Sequence, residues 1–220
     1  MAPAGAVTSA VLPEAFGQTS LVRLSPSSAY LLGRPSGAGN VLDPPMWFTS
    51  DGGVSWSIRS TACVTPGFVA LAAAPDGSLV TVCAGGAAAG SQEKSAQRST
   101  DDGATWTVES NCPFGAPSSP CEAAPLNFGY LGGIAAPAAD TVFLYGDRAA
   151  LLVSHDDGAQ WQEVRPQIGG TSWGTGQVTF FNGSDGVVLG DNERKASTPL
   201  TLWHTSDGGE HWRPVVPRVT

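Results

Sequence analysis

Two aspartates in this 220-residue chain stand where hydrolytic chemistry could be placed: Asp147 in LYGDR and Asp191 in VLGDN, each directly after a glycine that closes an apolar run. Two carboxylates facing one bond can act as acid and as base or nucleophile, the arrangement that cleaves a glycosidic linkage. A carboxylate at a strand end also serves as a turn cap or a solvated charge, so the pair is a weak catalytic candidate. Arg34, Arg148, Glu193 and Arg194 fall at or near the same strand ends and are candidate ligand contacts. Trp173, set among glycines in GGTSWGTG, is the preferred contact, because an exposed indole offers a flat apolar face on which a sugar stacks.

Other chemistries find less support. His155, His204 and His211 are dispersed without matching carboxylate or thiol spacing, so no metal site is expected. Nothing matches GxSxG, HExxH or a Gly-rich phosphate loop, and no cofactor is expected. A net charge of −8 with only 11 Lys and Arg argues against a nucleic-acid partner. No apolar run reaches the ~18 residues of a membrane span.

The four cysteines, Cys63, Cys83, Cys112 and Cys121, allow three full pairings. Cys112 and Cys121 bracket NCPFGAPSSPC, where a local bridge would pin a loop with little else to order it and hold Phe114 outward or down onto the fold. A disulfide implies an extracytoplasmic or secreted home. The pairing of Cys63 and Cys83 stays open, with Cys83 as an unpaired buried thiol the alternative.

The elements that must position these residues are short. With 28 Gly, 17 Pro and only 14% charged residues, the composition favours strands joined by turns, hence an all-β fold. One octapeptide occurs four times: TSDGGVSW, STDDGATW, SHDDGAQW and TSDGGEHW. Its tryptophans, Trp56, Trp106, Trp161 and Trp212, are 50, 55 and 51 residues apart, the size of a propeller blade. Apolar segments recur around each copy: one ending at Gly33, Gly85, Gly146 or Gly190, one upstream of it, and one after each tryptophan. Each period therefore reads as four strands, A to D, with the octapeptide as the C–D hairpin. Trp47 and Trp203 belong to strand C packing.

The octapeptide resembles the Asp-box (BNR) repeat, with its Ser or Thr followed by Asp51, Gly53 and Trp56, by Asp101, Gly103 and Trp106, by Asp156, Gly158 and Trp161, and by Asp207, Gly209 and Trp212. The resemblance runs from about residue 17 to 220 and implies a β-propeller of four-stranded antiparallel blades, near 17–60, 66–110, 126–165 and 176–220. Residues 1–16 are then an N-terminal tail or a strand of a preceding blade. Four blades would close a small ring, yet Asp-box relatives usually have six or more, so part of a larger ring is the favoured reading.

Asp-box propellers include sialidases, xyloglucan-active hydrolases, sortilin-type receptors and photosystem II assembly factors. The resemblance implies that D–A and B–C connections form the ligand face, with long B–C loops expected at 34–45, 86–97 and 191–200, and the Asp-boxes at the opposite end. A sialidase would need an arginine cluster and an Arg-Ile-Pro segment, and the latter is absent. The expected function is a non-catalytic module that binds a protein or glycan. The alternative is a glycoside hydrolase, sialidase-like or xyloglucanase-like, or a fragment of one.

Overall fold

A computed structural model of the chain describes residues 16–35, 45–63, 67–114, 125–170, 174–190 and 201–216. These form four antiparallel sheets, each a meander of four strands in chain order. Blade 1 comprises β1 (Phe16–Arg23), β2 (Ala29–Pro35), β3 (Met46–Thr49) and β4 (Ser57–Arg59); blade 2 comprises β5 (Phe68–Ala73), β6 (Leu79–Ala88), β7 (Ser91–Ser99) and β8 (Thr107–Cys112). Blade 3 comprises β9 (Tyr130–Ala135), β10 (Val142–Asp147), β11 (Leu152–Ser154) and β12 (Gln162–Glu163); blade 4 comprises β13 (Thr175–Phe180), β14 (Gly186–Gly190), β15 (Thr201–Thr205) and β16 (Arg213–Val215). The fold is a β-propeller. Strands β1, β5, β9 and β13 are innermost and together line a central cavity of about 410 Å³.

A blade is covered by a neighbour on each face, so its middle strands read as apolar runs instead of alternating. Between blades 2 and 3 the small residues Ala70, Ala72, Val82, Ala84 and Ala96 receive the larger Leu131, Ile134, Leu144 and Trp161. Between blades 3 and 4 aromatic residues dominate: Phe143 meets Phe180 at 5.2 Å and the edge of Trp212 at 5.9 Å. The seam between blades 1 and 2 has the smallest apolar cluster, built on Tyr30, Leu32, Met46, Leu71 and Leu79. There blade 2 also buries Thr81 and Gln97; the Thr81 hydroxyl donates to Gln97 Oε1 at 3.0 Å and Gln97 Nε2 donates to Ser95 at 2.7 Å.

A disulfide joins Cys63, on the connection from blade 1, to Cys83 in β6 beside this polar seam. Sequence reasoning left that pairing open, and an unpaired Cys83 is overturned. Cys112 is also disulfide-bonded, while Cys121 lies outside the described residues.

The expected long loop at 86–97 is replaced by strand. β6 and β7 run on as a hairpin closed by Ala89 and Gly90, whose φ values of 50° and 88° make the two-residue left-handed turn that matches the twist of paired strands. The polar run QEKSAQRS hid β7, because its buried residues include Lys94 and Gln97. In blade 1 the backbone of Arg34 likewise lies within β2 and not beyond the strand end.

Each Asp-box closes its hairpin in the same way. The Ser or Thr hydroxyl donates to the aspartate at 2.8 Å in all four copies, from Thr49, Ser99, Ser154 and Thr205. That oxygen accepts from the amides of Gly53, Gly103, Gly158 and Gly209 at 2.8–3.0 Å. The aspartate then accepts the amide four residues on, at Ser55, Thr105, Gln160 or His211. The residue before the box glycine is left-handed in every copy: Gly52, Asp102, Asp157 and Gly208, with φ of 56–75°. Aspartate tolerates that conformation better than most residues, and both aspartates use it to reach the preceding blade. Asp102 accepts from Tyr30 at 3.5 Å and Asp157 from Arg98 at 3.0 Å.

Two predictions concern the seams. A methyl at Gly209 would run into the Phe143 ring, whereas at Gly53 it would meet only Trp56 at 3.7 Å. Both variants share the left-handed strain, so Gly209→Ala should cost about 1–3 kcal/mol more than Gly53→Ala from overpacking. Urea unfolding of the two checks this, and equal losses would mean that the box glycines do not set the seams. The Cys63–Cys83 bridge closes a 20-residue separation, so a Cys63→Ala, Cys83→Ala variant should lose about 3 kcal/mol on the loop-closure scale, read from the shift in urea midpoint.

Candidate functional site

The strand directions put the A–B turns and Asp-boxes at one end of the propeller and the B–C and D–A connections at the other. At this second end the junction of blades 2 and 3 is built from side chains that strap loop backbone to strand. Asn127 Nδ2 donates to Cys112 O at 2.9 Å, and its Oδ1 accepts the Lys94 amide at 3.2 Å. Gln92 Oε1 accepts the Leu131 amide at 3.0 Å, and Glu93 accepts the Phe114 amide at 2.8 Å. With the backbone held down in this way, Phe114 and Phe128 are left exposed.

Lys94 is the strap's buried member. Its ammonium donates to the carbonyls of Gln92 at 3.2 Å, Phe128 at 3.4 Å and Gly129 at 3.0 Å. Burial pushes its pKa down from 10.5 to about 7.

Arg148 extends the patch from blade 3. It is left-handed, with φ 58°, and its guanidinium lies over Gly90, where a methyl would stand 2.9 Å from Nη2. Beside it Asp147 ends β10, exposed to solvent. Gly174 packs on the backbone of both residues, since a methyl there would stand 2.6 Å from the Arg148 amide nitrogen and 2.7 Å from Asp147 Cα. The D–A connection of blade 4 therefore arrives against Asp147 and Arg148.

Of the residues expected to form the site, the described part of the chain brings Asp147 and Arg148 together. Trp173, Asp191, Glu193 and Arg194 lie outside the described residues, as does the side chain of Arg34. Phe128 was missed, because at the end of the loop CPFGAPSSPCEAAPLNFGY an apolar residue just before a strand carries no mark of its exposure. Gly129 was the available signal that the chain turns there first, and its φ is 66°.

The central cavity is lined by Ser20, Val22, Phe68, Tyr145, Gln177 and Phe180 together with small and apolar residues of β5 and β9, none of them charged. The histidines serve other ends: His211 lies 2.8 Å from Asp207 within its own box, and His204 is 3.8 Å from Asp185. Among the described residues no group of three or more metal-ligating side chains is found, and no helix is long and apolar enough to cross a membrane.

At the opposite end three of the box carboxylates, Asp51, Asp101 and Asp207, are held well below the usual range. Asp51 and Asp101 are lowered to about 2, first by the hydroxyls of Ser55 and Thr105, and Asp207 to about 2, first by the His211 amide. They are turn acceptors that stay ionised, with no part in proton transfer.

Four-stranded meanders around a central cavity, each closed by an Asp-box hairpin, define an Asp-box β-propeller. The chain belongs to the BNR repeat-like domain family, whose model matches residues 61–220. No curated protein matches it. Among solved structures, the GH74 enzyme of Niastella koreensis is similar with TM-score 0.58 and 16% identity, over 90% of this chain and 30% of that one. The α-L-arabinanase of Penicillium chrysogenum, complexed with arabinobiose, gives 0.51 and 14% over 94% and 68%. YCF48 from Cyanidioschyzon merolae gives 0.50 and 15% over 96% and 59%. The chain thus spans about a third of the GH74 enzyme and three fifths of YCF48. At these identities the likeness is one of fold.

The strap carries a pH signature. The folded state releases the Lys94 proton near pH 7 while an unfolded lysine keeps it to about 10.5, so between these values the unfolded chain binds more protons. Unfolding free energy should therefore rise with pH from about 7 towards 10, and Lys94→Met should flatten that rise. Urea titrations at pH 6, 8 and 9.5 measure it, and an unchanged slope in the variant would assign the linkage elsewhere.

Proposed function

We propose that this propeller is a non-catalytic binding module that takes a protein or glycan ligand on the face formed by its D–A and B–C connections. The observation that carries the reading is the patch at the junction of blades 2 and 3. Phe114 and Phe128 are large exposed aromatic side chains there, with Arg148 and Asp147 beside them. Aromatic rings anchored on rigid backbone, flanked by a planar cation, are the groups that dominate recognition surfaces, and aromatic faces also stack on sugars. Trp173, Arg34, Glu193 and Arg194 belong to the same loop-rich face in this proposal.

The chemistry of the cavity supports binding over hydrolysis. Its described lining carries no carboxylate. The disulfide between Cys63 and Cys83, with Cys112 bonded as well, supports an extracytoplasmic or secreted location, where such bonds persist. Proteins of similar fold include a GH74 enzyme as well as YCF48, and on one scaffold either kind of role is compatible with the fold.

The test is retention of the chain on arrays of plant and bacterial glycans and of extended peptides. Phe128→Ala and Trp173→Ala should each weaken the best ligand about tenfold, the effect of losing ~1.4 kcal/mol at one contact. The wild-type chain should release no reducing sugar from any retained glycan. Hydrolysis that disappears in Asp147→Asn or Asp191→Asn would replace this reading with the glycosidase one.

A further inference from the structure

The three seams share a seating rule. The box glycine of one blade rests on the blade before it: a methyl at Gly103 would stand 3.0 Å from Met46 Cε, one at Gly158 2.9 Å from Ala96 Cβ, and one at Gly209 would enter the Phe143 ring. Gly103, Gly158 and Gly209 are all buried. In the first two seams the receiving residue lies three places before a box hydroxyl, Met46 or Ala96, and in the third Phe143 of β10 receives the glycine beside Leu151, the residue at the equivalent position; all four are 0% exposed.

Both ends of the series leave half of this rule unmet. Gly53, the box glycine of blade 1, is half-buried and among the described residues meets only its own Trp56. Leu202, the receiving residue of blade 4, is half-exposed. A groove of about 210 Å³ opens beside Gly53 and Trp56, walled by Leu21, Arg23 and Ala29.

The sheet faces agree. In blade 4 the cross-strand row Val178, Val188, Trp203, Pro214 faces blade 3, and its first three members are 4%, 1% and 3% exposed. The matching row of blade 1 is Leu21, Leu31, Trp47, Ile58. Trp47 is buried, but Leu21 and Ile58 at its ends are 65% and 70% exposed. On the far side of blade 4, the row Leu189, Leu202, Val215 is apolar and at most half-buried. No cluster of buried residues links blade 4 to blade 1 among the described residues, whereas each of the other three junctions has one.

We propose that the outer face of blade 1 is a blade-docking surface, and that its occupant is the outer face of blade 4 from a second copy of this chain. Such a contact continues the interfaces already present. Each seam pairs a box-bearing face with a receiving face, and the described residues leave one unmet face of each kind. Gly53 of one copy then seats on Leu202 of the next, as Gly103 seats on Met46. The contact is heterologous, joining two different patches, so it adds copies head to tail. It involves neither Phe128 nor Arg148 and is independent of the ligand reading.

The test uses the whole chain in light scattering from 1 to 200 μM. The expected result is a concentration-dependent rise to at least twice the chain mass. Ile58→Asp spoils the box-bearing face at an exposed position, and Leu202→Asp spoils the receiving face. Each variant alone should stay at single-chain mass, and an equimolar mixture should regain a two-chain species through the one intact pair of faces. Leu189→Asp replaces Leu202→Asp if the latter loses its near-UV circular dichroism. A wild-type chain that stays at single mass throughout the range overturns the proposal, as does a multimer that persists in the single variants.

Discussion

The turn in which a Ser or Thr hydroxyl binds both an aspartate and a glycine amide governs this molecule at two scales. Within a blade it fixes the hairpin, because two of its three hydrogen bonds satisfy backbone amides that a sharp reversal would otherwise leave to water, and the third holds the two side-chain acceptors together. Between blades it presents a bare glycine Cα to the neighbour, and only a residue without a side chain lets two sheets approach so closely at that point. Local turn chemistry and long-range packing thus depend on the same few atoms. Ionisation of Asp51, Asp101 and Asp207 is part of the device, since their oxygens act only as acceptors there.

Around that constant turn, the chemistry of each seam differs. Alanines against leucine, isoleucine and tryptophan fill one junction, stacked aromatics another, and buried threonine and glutamine with a disulfide alongside the third. The third is where apolar packing is weakest, and the covalent tie compensates by restricting the unfolded chain. The ligand face follows the same economy. Lys94, Asn127 and Gln92 hold loop backbone to β7 and β9, which frees the aromatic side chains of the loop to face outward.

Much of this was legible in the residues. The four boxes gave the blade count, and the glycine-terminated apolar runs gave strand B, because turn chemistry and burial on both faces are local and periodic. The strand β7 was not legible: QEKSAQRS looks like a solvated loop, and only the neighbouring blade reveals that Lys94 and Gln97 are enclosed. The Cys63–Cys83 pairing was equally hidden, since it depends on where a connection crosses a sheet and not on spacing along the chain. At the site, Asp147 and Arg148 could be placed by aligning strand ends, but Phe128 could not, because an apolar residue before a strand carries no mark of its exposure.

Blades that share one turn but differ in the sizes of their facing residues are not interchangeable. The alanine face of blade 2 would leave a void against the β13 and β14 face of blade 4, and the Phe143 face of blade 3 would overfill the place taken by Ala96. A chain of near-identical repeats faces the hazard that its units pair out of order while folding. Size matching at each junction acts as an address, so that the repeat supplies the hinge and the mismatch supplies the sequence of assembly.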